Sequence, residues 1–114
     1  MPAGDCYQAA FQLIMDRAIF GDASCLTLVH GVVTGQGPIK GVKYGHAWVE
    51  DNSGPIAIVI DASNDNYVEM PAYAYYRLGK IKQTIRYTWE EARKEAQEHE
   101  HYGPWQGETS PEAK

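Results

Sequence analysis

The chain is short of cysteine, of long apolar runs and of clustered positive charge, and each shortage closes off a class of protein. Two cysteines, Cys6 and Cys25, stand among 114 residues. That is too few for a disulfide framework, and in a reducing compartment they read as two separate thiols in two settings. No apolar run approaches the ~18 residues of a membrane span. The opening Met1-Pro2-Ala3-Gly4-Asp5 has no basic leader region, so the expectation is a cytoplasmic protein without membrane contact. Ten Lys and Arg against fifteen Asp and Glu leave a net charge of −5, which argues against the basic stripe of a nucleic-acid binder. Phenylalanine is scarce, but eight Tyr and three Trp are present. Such amphipathic rings serve cores and ligand grooves alike.

The length suits one core and hence one domain, expected over residues 1–106 with a disordered tail at 107–114. Asp5, with Gln8 three residues later, reads as the cap of a helix over residues 5–19. Cys6, Ala9, Ala10, Leu13 and Ile14 recur at helical spacing and form its buried stripe. A short helical turn over 22–25 and a strand from Leu26 to Val33 follow. Gly35, Gly37, Pro38 and Gly41 mark a loop. Strands are expected over 42–50 and 56–61, joined by the turn Asn52–Pro55. The second of these is apolar on both faces and so should be central. Beyond the polar loop 62–66, Pro71 opens a short helix to about residue 78, and a strand covers 80–87. Thr88 and Glu91 form a capping box for a polar helix ending near His101.

A turn centred on Ser53-Gly54 places His46 directly across from Asp61, with Cβ atoms roughly 4.5–5.5 Å apart. An imidazole and a carboxylate can hydrogen-bond over that gap. Cys6 falls at the first helical position, where unpaired N–H groups and the dipole favour a thiolate. Nucleophile, base and orienter are thus all on offer. Blander readings exist. Cys6 could be a buried helix cysteine, His46 a strand-end core residue, and Asp61 a turn cap with Ser63 and Asn64, with Asn64 a weaker orienter. Trp48, Tyr44 and Gln36 are the candidates for touching substrate, with Gln36 in the glycine-rich loop ahead of the His46 strand; for Trp48, packing beside the site is the favoured reading over binding a ligand. Glu50, near the hairpin end, should be solvated or paired. Cys25 reads as packing, and Tyr73, Tyr75 and Tyr76 as core or interface. His30 is structural unless it faces the cleft. His99 and His101 should sit in solvent. Cys6, His30, His46 and Asp61 lack the paired short spacing of a zinc site, so neither metal nor organic cofactor is expected.

Gly4-Asp5-Cys6 before a helix, Gly45-His46-Ala47-Trp48-Val49-Glu50 and Val59-Ile60-Asp61, in that order, resemble the transglutaminase-like branch of the papain-like superfamily. The likeness covers residues 4–64 and fits a small phage or bacterial member. It implies an α+β fold with the N-terminal helix packed on an antiparallel sheet. It also implies Cys6 as nucleophile, His46 as general base and acid, and Asp61 as orienter. The chain departs from the family at the oxyanion hole. Only five residues precede Cys6, so the upstream side chain that often completes the hole is missing, and the Cys6 N–H is the one donor identified. The expected activity is thiol-dependent hydrolysis or acyl transfer at an amide, isopeptide or thioester bond of a peptide or protein substrate. The alternative is a non-catalytic binding or inhibitor protein carrying a vestigial site. The oligomeric state is not readable.

Overall fold

The computed structural model describes residues 4–35, 41–62 and 67–105. In chain order these form α1 (Gly4–Phe20), β1 (Leu26–Thr34), β2 (Lys43–Asp51), β3 (Ile58–Asp61), β4 (Val68–Pro71), α2 (Ala72–Gly79), β5 (Lys82–Tyr87) and α3 (Trp89–His99). The fold is α+β, with three helices and a five-stranded sheet in the order β4-β3-β2-β1-β5. Every strand pair is antiparallel.

Successive strand residues face opposite sides, and here both sides are apolar. Leu26, Leu28, Ala47, Val49 and Ile60 pack beneath α1 and α3 with Tyr7, Ala10, Ile14, Ala92 and Trp105. Val29, Val33, Trp48 and Val59 pack on the other side beneath Ala72, Tyr75 and Tyr76 of α2. This double coverage explains the near-continuous burial of β1 and of residues 46–50 in β2.

Several elements differ from the expectation. α1 begins at Gly4, so Asp5 lies inside its first turn and is not its cap. Residues 22–25 form no helix; the Ser24 N–H donates to Asp22 Oδ1 at 2.8 Å and closes a turn. β3 starts at Ile58 and lies second from the edge, while β2 is central. Ile56 is 52 % exposed, and the Ala57 carbonyl accepts the Ala72 N–H at 2.8 Å, which ties the loop to α2. β4, an edge strand, falls where no element was expected. Pro71 caps α2 from outside and is not its first helical residue. The α3 capping box is present: Glu91 N–H donates to Thr88 Oγ1 at 3.1 Å and Thr88 N–H to Glu91 Oε1 at 2.9 Å. The glycine-rich loop from Gln36, the segment holding Ser63 and Asn64, and the tail from Gly107 lie outside the described residues. No described helix is long and apolar enough to cross a membrane.

Candidate functional site

Alternation along β2 turns Tyr44, His46, Trp48 and Glu50 to the α2 side, and β3 turns Val59 and Asp61 the same way. The expected direct opposition of His46 and Asp61 does not occur. β2 and β3 pair Val49 with Ile60, Glu50 with Val59 and Asp51 with Ile58, a register that carries Asp61 opposite Trp48. The connecting loop spans residues 52–57, longer than a tight turn, and opens with the Ser53 N–H donating to Asp51 Oδ1 at 2.9 Å. A slip of two residues leaves every side chain on its face, whereas a slip of one would invert them all. Asp61 is therefore a diagonal neighbour of His46, and His46 Nε2 lies 2.9 Å from Asp61 Oδ2.

The start of α1 is seated on β2 next to this pair. A Cβ added to Gly45 would stand 2.5 Å from the Tyr7 hydroxyl oxygen, so only glycine lets Tyr7 approach the strand there. The Tyr7 ring also meets His30 edge-on, with centroids 4.8 Å apart. Cys6, one residue earlier, is brought into hydrogen-bonding reach of His46. Because Nε2 is engaged by Asp61, Nδ1 is the ring nitrogen left for the thiol. Cys6 and His46 are each 7 % exposed. Burial pulls the His46 imidazole down, but its hydrogen bonds to Asp61 and Cys6 and their negative charges outweigh that and push it up to about 9.

Two tyrosines complete the cluster. Tyr75 of α2 donates its hydroxyl to Asp61 Oδ2 at 2.7 Å, the same oxygen that His46 meets. Its ring packs against Trp48 at 5.2 Å. Burial and the neighbouring Asp61 charge drive the Tyr75 phenol far up, so it stays a donor. Sequence reading missed this role, although Tyr75-Tyr76 behind Pro71 carried the signal of two aromatics on a short sheet-facing helix. Tyr44 meets His46 edge-on at 5.9 Å. Burial, with the Asp61 and Cys6 charges, pushes its phenol up too.

Other candidates fall elsewhere. Trp48 is wholly buried, which fits packing beside the site and removes it from the substrate-touching candidates. Tyr75 and Tyr76 cover its rings and its indole N–H donates to Glu50 Oε2 at 3.3 Å, so it is the floor under the site. Gln36 lies outside the described residues. Glu50 is paired and not solvated, being 3 % exposed, with Arg86 Nη1 donating to Oε1 at 2.7 Å and Tyr76 donating to Oε2. Burial pushes the Glu50 carboxyl up, but hydrogen bonds from Arg86, Tyr76 and Trp48 hold it below the usual carboxylate range. His30 faces the α1 side, boxed by the rings of Tyr7, Tyr87 and Trp105, and does not reach the cleft. Cys25 is exposed, contrary to a packing role. His99 is half-buried, 3.4 Å from Glu95. Among the described residues, Glu95, Glu98 and His99 place donor atoms within 4.8 Å of one another, on α3 and across the sheet from His46.

No known protein family, no curated protein and no solved structure matches the chain.

Proposed function

We propose that the chain is a thiol-dependent hydrolase or acyltransferase on a papain/transglutaminase-like core, acting on an amide, isopeptide or thioester bond of a peptide or protein in the cytoplasm. The observation that carries this reading is the hydrogen-bonded run from Cys6 through His46 to Asp61 and Tyr75. An imidazolium beside a thiol at a helix start is what activates sulfur as a nucleophile. In the reaction the Cys6 sulfur attacks the carbonyl carbon and a C–S bond forms. The bond to the leaving group breaks as His46 Nδ1 gives that group its proton. Water, losing a proton to the neutral imidazole, then cleaves the acyl-thioester, or an amine takes the acyl group. Asp61 holds the ring and balances its charge, and Tyr75 holds Asp61. The oxyanion forms beside the start of α1, where the first-turn N–H groups and the positive end of the helix dipole favour negative charge. The Tyr44 phenol, kept protonated beside the thiol, is the side-chain donor we assign to that oxyanion.

The low exposure of Cys6 and His46 favours a second reading, a binding or inhibitor protein with a vestigial site. Alkylation of Cys6 by iodoacetamide against pH, in a Cys25→Ser background, separates the two. The enzyme reading expects His46→Ala to slow the alkylation, most of all below neutral pH, because a charged imidazole beside the thiol favours the reactive thiolate. A profile indifferent to His46→Ala would sink it.

A further inference from the structure

The net charge of −5 conceals a strong segregation. β1, β2 up to His46, α2 and β5 contain no Asp or Glu, while Lys43, Arg77, Lys82 and Arg86 lie in them and Lys80 caps α2. Arg86 is bound to Glu50; the other four are exposed cations with no acid on their own elements. The register gathers them at one end of the sheet. Thr34 at the end of β1 pairs with Lys43, and Val32 with Lys82. α2 crosses the sheet from Pro71, opposite Ile58, to Gly79, whose added Cβ would stand 3.9 Å from Val33, and Lys80 caps it there. Cys6 lies at this same end. His46 pairs with Gly31 and Tyr44 with Val33, so Lys43 is three residues from His46, about 10 Å along the strand. That is about one Debye length at physiological salt. Asp61 is already paired with His46 and hydrogen-bonded by Tyr75, and Asp5, next to Cys6 in sequence, is one negative charge against four positive.

We infer that Lys43, Lys80 and Lys82, with Arg77 behind them, form a basic rim that selects acyl donors whose flanking segment is acidic. The inference rests on the reading of Cys6 as nucleophile, and it names the substrate class of that site. An acidic peptide is favoured over a nucleic acid because the rim borders an acyl-accepting thiol, and a peptide presents the carbonyl such a thiol needs. Acidic flanks meeting a basic rim raise the encounter rate through charge steering, an effect that salt removes.

The test is acylation of Cys6 by three peptide thioesters with the same reacting residue and Asp/Glu, Ser/Gly or Lys/Arg flanks. Each is measured in 20 mM and 500 mM NaCl. The Asp/Glu thioester should react about tenfold faster than the Ser/Gly one at low salt, with the advantage shrinking severalfold at high salt. Lys43→Ser/Lys80→Ser/Lys82→Ser should bring the ratio of the two rates to about one. Equal rates for the two flanks in the native chain, or a ratio that survives the triple substitution, would overturn the inference. So would an oligodeoxynucleotide that blocks acylation more strongly than a free Asp/Glu peptide of equal charge. If iodoacetamide alkylates Cys6 but no thioester acylates it, the nucleophile reading fails. Fluorescence anisotropy of a labelled Asp/Glu peptide then decides the rim by itself. Binding that the triple substitution abolishes upholds it, and no binding overturns it.

Discussion

Replacing Asp61 by Asn tests the site through stability, without any substrate. The change keeps an acceptor 2.9 Å from His46 Nε2 but removes the charge. In the native chain His46 is raised from an ordinary 6.5 to about 9. A group whose folded value is raised contributes stability that is fully present below its unfolded value and is lost as pH rises through the folded one. The window is therefore pH 6.5 to 9. At 1.36 kcal/mol per unit, the shift is worth about 3 kcal/mol at pH 6. Asp61→Asn leaves burial as the dominant influence on the imidazole, and burial acts in the opposite direction. The variant's stability should be flat or falling on the acid side of that window.

Urea unfolding followed by tryptophan fluorescence at pH 6, 7.5 and 9.5 reads this directly. With a slope of about 1–3 kcal/mol per molar urea, the native midpoint should fall by roughly 1–3 M between the extremes, and that fall should vanish in Asp61→Asn. Parallel curves for the two proteins would refute the coupling of His46 to Asp61, whatever the activity proves to be.

Tyr75→Phe removes one of the two hydrogens on Asp61 Oδ2; the unshared carboxylate should raise the His46 value further, read by imidazole NMR titration, and an unmoved titration would show that Tyr75 only packs. Glu50→Gln breaks the charge pair between a buried carboxylate and a half-exposed Arg86 and should cost about 1–2 kcal/mol in urea unfolding while leaving the pH profile of Cys6 alkylation in place. Gly45→Ala places a methyl group 2.5 Å from the Tyr7 hydroxyl oxygen. It should cost about 1–3 kcal/mol and slow Cys6 alkylation, because Tyr7 is what seats the helix start; a cost in stability with an intact alkylation profile would contradict that seating.

Much of this arrangement was legible because it rests on periodicity. The Cys6-Ala10-Ile14 stripe predicted the buried face of α1, and the β-branched run from Leu26 predicted β1. The Thr88–Glu91 box predicted the start of α3. Elements that depend on tertiary partners were not legible. β4 has two exposed residues out of four and pairs only because β3 offers it an edge. Pro55 and the Ala57–Ala72 hydrogen bond delay β3 by two residues, a cost to pairing that no local pattern displays. Tyr75 looked like any core aromatic until α2 was laid across the sheet.

The His46–Asp61 pair survived a wrong register, and the reason bears on how such a site is specified. A hairpin's loop length is sensitive to single residues such as Pro55, but face assignment depends only on the parity of the shift. His46 and Asp61 needed to share a face and lie within one diagonal step, and both the tight and the long loop meet that condition. Cys6 obeys a stricter rule. It sits on a helix packed against the opposite side of the sheet, so it meets His46 only where α1 is drawn close to β2. The bare backbone of Gly45 beneath the Tyr7 hydroxyl permits that approach, and any side chain at position 45 would push the helix start, and the thiol with it, away from His46.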